Sequence, residues 1–156
     1  MDVNSAKDQI GFNVIPRIDD FLDNGYTKEE QKMIDESKKI LHLPNLPVSA
    51  TCARVPVYIS HSEAVHIEFE QPIDINDVQT KLSNFQGITV MDDPKQDIYP
   101  MPYHIEGKDD VYVGRIRKDT SVDNGIVLWI VSDNLRKGAA LNSLQIAETL
   151  VASELV

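Results

Sequence analysis

Several features that would assign a protein to a class are missing from this sequence of 156 residues. Its single cysteine, Cys52, excludes an intrachain disulfide and a metal cage built from several cysteines, and it fits a reducing compartment. No apolar run approaches the ~20 residues that a membrane-spanning helix needs. The start, MDVNSAKDQI, has neither the basic residues nor the apolar stretch of a signal peptide. These absences predict a cytoplasmic protein that does not associate with a membrane.

Positive charge is also scarce. The chain has 15 lysines and arginines against 25 acidic residues, which gives a net charge of -10. Nucleic acids and anionic membranes bind basic surfaces, so neither is an expected partner of this acidic chain. The scattered glycines do not form a G-x-G-x-x-G loop, and neither a P-loop nor a zinc-binding spacing is present. The length and a hydrophobic content of 42% predict one globular domain.

Two helices are predicted in the first third of the chain. In FNVIPRIDDFLDNG, residues 12–25, the apolar side chains fall at helical spacing and the final Asn-Gly would end the helix. The next helix starts at Thr27, where TKEE is a capping box with Glu30 as its third helical residue. Pro44 marks where this helix must have ended.

The rest of the chain is predicted to be mostly β-structure. The predicted strands are VSATCARVPVYI (48–59), VHIEFE (65–70), ITVMD (88–92), VYVGRIRKDTSV (111–122) and IVLWIVS (126–132). Asn124-Gly125 is a hairpin turn signal, and the apolar IVLWIVS is typical of a central strand. Asp74 would cap a short helix, and AALNSLQIAETLV would form a terminal one. The predicted fold class is α+β, with a mixed, largely antiparallel sheet covered by helices.

Four residues could carry chemistry. Glu29 and Lys32 lie three residues apart in the first turn of a helix and share a face. Such pairs are usually just solvent-exposed side chains at the start of a helix. Arg54 offers the planar fork that matches a carboxylate or a phosphate, or it reaches water from a strand edge. His61 lies between two β segments and could be a general acid or base, or a histidine bonded within a turn.

Two further residues are interpreted as structural. Cys52 lies near Arg54 and His61 in sequence, but its neighbours are small or apolar, and nothing in the sequence would lower its pKa. We therefore expect a structural cysteine instead of a nucleophile. His66 alternates with the apolar face of its strand and is expected to be exposed. Taken alone, these residues indicate an α+β domain that could bind an anion.

Three long segments together resemble one family. FNVIPRIDDFLDNGYTKEE, TCARVPVYISHSEAVHIEFE and VGRIRKDTSVDNGIVLWIVSDNLRKGAALNSLQIAE are similar to the C-terminal half of bacterial aspartate-β-semialdehyde dehydrogenases, from about Gly11 to about Leu150. The resemblance implies the catalytic and dimerisation domain of the glyceraldehyde-3-phosphate dehydrogenase type, whose sheet builds a homodimer. Residues 1–140 would be the substrate-binding and dimerisation domain. Residues 141–156 would be a helix that packs on an N-terminal NADP-binding domain.

The resemblance also implies an activity. The family reversibly converts aspartyl 4-phosphate into aspartate semialdehyde and phosphate with NADPH, in the biosynthesis of lysine through diaminopimelate, and of threonine, methionine and isoleucine. A cysteine attacks the acyl phosphate, and a histidine acts as acid and base. The family's nucleotide-binding domain and cysteine precede the segment matched here. The chain alone is therefore expected to be inactive.

The family's functional residues can be placed on this sequence one by one. His61 matches the acid/base histidine and Arg54 the arginine that holds the substrate carboxylate. Lys32 matches the lysine that holds phosphate, and Asn134 a position that contacts the cofactor. Glu29 matches the glutamate that meets the substrate ammonium, with the adjacent Glu30 as the alternative.

One position departs from the family, and two other functions remain open. Ser60 stands where the family commonly has glycine, and serine does not favour the positive φ that glycine permits. The first alternative is a related reductase of another acyl phosphate such as acetylglutamyl phosphate, against which the set Glu29, Lys32 and Arg54 argues. The second is a non-catalytic dimerisation module, which would be expected to lack Arg54 or His61.

Overall fold

The structure, a computed structural model, describes residues 9–155. Within them the chain forms two compact units, divided between Pro56 and Val57. The helices are α1 (Lys28–Ile40), α2 (Ile75–Ser83), α3 (Pro102–Ile105) and α4 (Leu141–Ala152), and the strands are β1 (His61–Glu68), β2 (Ile88–Val90), β3 (Val111–Asp119) and β4 (Gly125–Ser132). A π-helical turn, Arg136–Ala140, leads directly into α4. None of the helices described is long and apolar enough to cross a membrane.

The first unit is organised by the predicted capping box, which is confirmed. The backbone N–H of Thr27 donates to Glu30 Oε2 at 2.7 Å, and the N–H of Glu30 donates to Thr27 Oγ1 at 3.3 Å. The other carboxylate oxygen of Glu30 accepts the N–H of Cys52 at 2.8 Å. These backbone donors of Thr27 and Cys52 hold the pKa of the Glu30 carboxyl below its ordinary value. One buried side chain thus caps α1 and fixes the segment around Cys52.

Two predicted elements of this unit are wrong. Residues 12–25 form no helix; Ile15 pairs with Arg54 and Phe21 with Thr27 in isolated antiparallel bridges. Pro16 biases the residue before it away from helical angles, and Asp19 has a φ of +69°. The predicted strand over residues 48–59 is also absent, except for the bridge at Arg54. Pro56 cannot donate to a strand ladder, which weakens this segment as a sheet partner.

The second unit contains a four-stranded sheet in the order β1-β4-β3-β2. β4 pairs antiparallel with both β1 and β3, while β2 pairs parallel with β3. The predicted central position of the apolar strand and the mixed, largely antiparallel sheet are confirmed. β1 begins four residues earlier than its alternating pattern indicated, because His61 already pairs with Ser132 of β4.

The hairpin between β3 and β4 is confirmed, but its turn differs from the expected one. Asp119 pairs with Gly125, so residues 120–124 form the loop and Gly125 opens the strand. A Cβ at Gly125 would lie 2.3 Å from Val122 Cγ2 and 2.8 Å from Asp119 Cβ. The glycine is therefore required by this close approach of the loop.

Both faces of β4 are covered over much of their length. On one face Ile126 and Leu128 pack with Val78 of α2, which Asp74 caps as predicted. On the other face Val131 is fully buried, and Trp129 Nε1 donates to the Pro100 carbonyl at 3.0 Å. The terminal helix α4 differs, since none of its residues is buried. Of the apolar residues at helical spacing in α4, Leu144, Ala147 and Val151 are exposed and Leu141 is half-buried.

Candidate functional site

His61 lies at the first position of β1, where the chain enters the sheet. Its side chain is exposed, and its backbone is fixed by pairing with Ser132 at the end of β4. The bend expected at this point is made by the preceding residue. Ser60 adopts a φ of +80°, in the left-handed region that disfavours residues other than glycine. His61 is thus presented at the edge of a rigid element by a strained residue.

Ser60 is also buried, with 5% of its surface exposed. Its backbone N–H donates to Oδ1 of Asn134 at 2.9 Å, across 74 residues of sequence. Its hydroxyl oxygen has no hydrogen-bond partner among the described residues. The departure from glycine that the sequence revealed therefore falls on a residue that does have a positive φ.

Asp133 holds the turn that carries Asn134. Its buried carboxylate accepts the N–H of Gly107 at 2.8 Å, of Leu135 at 2.9 Å and of Arg136 at 3.1 Å. These donors, Gly107 first, hold the pKa of the Asp133 carboxyl below its ordinary value, although burial opposes them. Sequence reasoning missed this residue. An Asx turn signal, Ser-Asp-Asn directly after an apolar strand, could have revealed it.

Glu29 and Lys32 lie on α1 in the first unit and contact each other. Lys32 Nζ lies 3.4 Å from Glu29 Oε2, with about half of the lysine side chain and a third of the glutamate side chain exposed (56% and 34%). An ion pair this open contributes little to stability. Both side chains could therefore exchange this contact for a charged ligand at small cost.

Arg54 lies in the same unit. Its backbone exchanges hydrogen bonds with Ile15, of 2.8 Å and 3.0 Å, and its side chain is exposed. The guanidinium group of Arg54 therefore projects from an isolated β-bridge and not from the predicted strand. Arg54, Glu29 and Lys32 belong to the first unit, whereas His61 and Asn134 belong to the second.

The interpretation of Cys52 as structural agrees with its surroundings. Its side chain is half-buried, its N–H donates to Glu30, and its Sγ lies 3.4 Å from the sulfur of Met33.

His66 is exposed, as predicted. Its Nδ1 lies 2.9 Å from Asp119 Oδ2 at the mouth of the hairpin. The hydroxyl of Ser121 and the imidazole of His66 lower the pKa of Asp119 to about 2. This cluster stabilises the loop after β3 and does not include any of the predicted site residues.

Two cavities, one in each unit, are lined by residues other than the predicted site residues. In the second unit a cavity of about 310 Å³ is lined by Arg115, Arg117 and Trp129, among others. In the first unit a cavity of about 360 Å³ includes Tyr26 and Glu30 but none of the five predicted residues. Across residues 9–155 no group of three His, Cys, Asp or Glu side chains could hold a metal ion.

Comparison with known proteins identifies one family. Residues 1–137 match the family described as semialdehyde dehydrogenase, dimerisation domain. The chain is 56% identical to the aspartate-semialdehyde dehydrogenase of Bacillus subtilis (strain 168) over 149 residues, which is 95% of this chain and 43% of that protein. The corresponding protein of Aquifex aeolicus is 50% identical over 148 residues, 95% of this chain and 44% of its own length.

Solved structures agree with these sequence matches. The crystal structure of aspartate semialdehyde dehydrogenase II from Vibrio cholerae superposes with a TM-score of 0.88 at 50% identity, covering 92% of this chain and 42% of that one. The structure of the Candida albicans enzyme with NADP gives a TM-score of 0.70 at 29% identity, covering 92% and 46%. The chain thus spans less than half the length of these relatives, and it matches their C-terminal part.

Proposed function

Since this chain belongs to the family of semialdehyde dehydrogenase dimerisation domains, we propose that it is the substrate-binding part of an aspartate-semialdehyde dehydrogenase. The observation that carries the proposal is the 56% identity to the Bacillus subtilis enzyme over 95% of this chain. The reaction is the NADPH-dependent reduction of aspartyl 4-phosphate to aspartate semialdehyde and phosphate, in the biosynthesis of lysine, threonine, methionine and isoleucine. The relatives described above are named for aspartate semialdehyde, so the acetylglutamyl phosphate alternative has no support from them.

The charges of the substrate match the side chains of the first unit. Arg54 would hold the α-carboxylate, because its planar guanidinium can donate two parallel hydrogen bonds to two oxygens. Lys32 would bind the phosphate and Glu29 the ammonium group. The ion pair between Lys32 and Glu29, 3.4 Å long, is exposed to solvent, so each side chain could exchange it for a charged group of the substrate. This supports the two assignments. Glu30 is the weaker candidate for the ammonium because both of its carboxylate oxygens already accept backbone N–H groups.

His61 would act as the acid and base. An imidazole can accept and release a proton near neutral pH, and this one is exposed at the end of a strand. The ladder with β4 fixes the backbone from which the ring projects. The presence of both His61 and Arg54 argues against a module that has lost its catalytic residues. Cys52 takes no part in this proposal, and the nucleophilic cysteine would come from the rest of the enzyme.

NADP would contact this chain at one residue, Asn134. Asn134 is half-exposed, and its Oδ1 accepts the Ser60 N–H, so its amide Nδ2 is left as a donor toward a bound nucleotide. When bound, the reduced nucleotide supplies the hydride. The sequence contains no G-x-G-x-x-G loop, so most nucleotide contacts would belong to another part of the enzyme.

The test is a chimera in which this chain follows the remaining N-terminal part of the Bacillus subtilis relative. We expect NADPH to form from aspartate semialdehyde, phosphate and NADP. Arg54→Lys should mainly raise the KM for aspartate semialdehyde, because it loses the fork. His61→Ala should mainly lower kcat, by roughly 10²–10⁴-fold.

Matched control variants are available in this chain. Arg17→Lys changes an exposed arginine of the same unit, and His104→Ala removes an exposed histidine of the second unit. Both should leave the kinetic constants unchanged. Near-normal turnover of His61→Ala, or an unchanged KM in Arg54→Lys, would show that the residue roles are misassigned. An inactive parental chimera would contradict the function itself.

The matched family is a dimerisation domain, and a homodimer built through the sheet is part of the proposal. The acidic chain is expected to work in the cytoplasm without nucleic acid or membrane. Light scattering of the chimera should give twice the monomer mass at micromolar concentration. A monomer that is fully active would refute the dimer as the working form.

A further inference from the structure

We propose that Asn134 is a positioning residue for His61, which it fixes through the backbone of Ser60. The inference rests on the proposed function, because it gives His61 its chemical role. It assigns to Asn134 a task separate from a contact with the nucleotide. The acceptor side of the carboxamide would hold the catalytic strand, and the donor side would remain available to the cofactor.

Ser60 is kept in an unfavourable conformation by its surroundings. A φ of +80° is unfavourable for serine, so the surrounding structure has to impose it. The serine hydroxyl cannot do so, because it is buried without a partner among the described residues. The hydrogen bond from Ser60 N to Asn134 Oδ1, at 2.9 Å, is the polar side-chain contact that holds this residue. Removing the acceptor would leave a buried N–H without a partner, and a rotation of Ser60 could relieve that cost.

Asn134 is itself held in place by the turn to which it belongs. Asn134 follows the end of β4 by two residues, and the preceding Asp133 accepts three backbone N–H groups with a buried carboxylate. This fixes the turn on one side to Gly107 and on the other to the π-helical turn before α4. The carboxamide therefore projects from an anchored turn, and it can transmit that fixed position to Ser60.

Ser60 connects Asn134 to the imidazole of His61. His61 is the first residue of β1, so the ladder with β4 holds the chain from His61 onward but does not hold the residue before it. The dihedral angles of Ser60 set the direction in which the chain enters the strand, and with it the start of the His61 side chain. A displacement of about 1 Å in a reacting group can cost on the order of 10²-fold in rate. The hydrogen bond from Asn134 is thus placed to affect turnover without touching the substrate.

Two substitutions separate positioning from nucleotide binding. Asn134→Asp keeps an oxygen acceptor for the Ser60 N–H but loses the amide donor, whereas Asn134→Ala loses both. In the chimera we expect Asn134→Ala to lower kcat by roughly 10-fold to 10²-fold, with the KM for aspartate semialdehyde nearly unchanged. Asn134→Asp should keep most of the turnover while raising the KM for NADP. Asn76→Ala, the same change at an exposed position of α2, is the control.

A second measurement uses the 156-residue chain itself. Hydrogen exchange of the Ser60 amide should become faster in Asn134→Ala and remain slow in Asn134→Asp, and the imidazole resonances of His61 should shift in the alanine variant. Unchanged exchange and resonances in Asn134→Ala would overturn the inference. So would an equal loss of kcat in both variants, because the missing donor to the nucleotide would then explain it. If the parental chimera is inactive, the proposed function fails, and the exchange measurement still decides whether Asn134 positions the strand.

Discussion

Replacing Ser60 should stabilise the protein, because this residue carries two separate costs. A left-handed conformation costs a residue with a Cβ about 1–2 kcal/mol. A buried hydroxyl without a hydrogen bond costs about 1–3 kcal/mol. Ser60 has both features, a φ of +80° and a buried oxygen without a partner among the described residues. The hydrogen bond to Asn134 Oδ1 uses only the backbone N–H of Ser60, so substitution of Ser60 leaves it in place.

Two variants separate these costs. Ser60→Ala removes the hydroxyl but keeps the Cβ, so it should gain about 1 kcal/mol or more. Ser60→Gly also relieves the backbone, but glycine loses about 0.5–1 kcal/mol through the greater freedom of the unfolded chain. Its net gain should be about 1–4 kcal/mol when these terms are combined. For a domain of this size that corresponds to a rise in Tm of at least about 2–4 °C.

The assay is denaturant unfolding followed by the fluorescence of the single tryptophan, Trp129, together with calorimetry for Tm. The expected order of stability is Ser60→Gly, then Ser60→Ala, then the parent chain. A loss of stability in Ser60→Ala would show that the hydroxyl is satisfied, for instance by an ordered water. Ser60→Gly less stable than Ser60→Ala by the full glycine cost would refute the strained backbone.

Two other predictions concern contacts away from Ser60 and the start of β1. Glu30→Gln should destabilise the first unit, because an amide offers one acceptor where Thr27 and Cys52 supply two backbone donors. The folded state lowers the pKa of Glu30 from 4.5. The contribution of its carboxylate to folding stability is therefore present above pH 4.5 and is lost as the pH falls through the lowered pKa. Denaturation midpoints of parent and variant that differ equally at all pH values would contradict this. Amide hydrogens of α4 should exchange faster than those of β4 in the monomeric chain, because no residue of the helix is buried. Equal protection would show that α4 packs within its own unit.

The proposed division of the chain at residue 140 stays a prediction. The exposure of α4 fits a helix that needs another surface, and Val151 and Leu144 are 65% and 57% exposed. An isolated helix of this length is marginal in water, so packing has to stabilise it. The exchange measurement on α4 tests this division together with the stability of the helix.

Elements whose signals are local could be predicted from the amino-acid sequence alone. The capping box at Thr27, the cap at Asp74 and the apolar strand β4 were all predictable, because each depends on residues within one turn or one strand. The family could also be identified, because three long segments carry its pattern in order. Helical spacing alone was misleading in residues 12–25, where a proline and a residue with positive φ break the helix.

How the candidate site residues are held depends on contacts that form only when distant segments pair. Asn134 and Ser60 are 74 residues apart, and they meet because β1 begins beside the end of β4 in an antiparallel ladder. No periodicity or motif encodes that meeting, since the strand register fixes it. The departure from glycine at Ser60 was visible in the sequence, but its positive φ and its unpartnered hydroxyl came from the packing around it. Local signals determine which segments fold, whereas long-range pairing determines which backbone group each side chain holds.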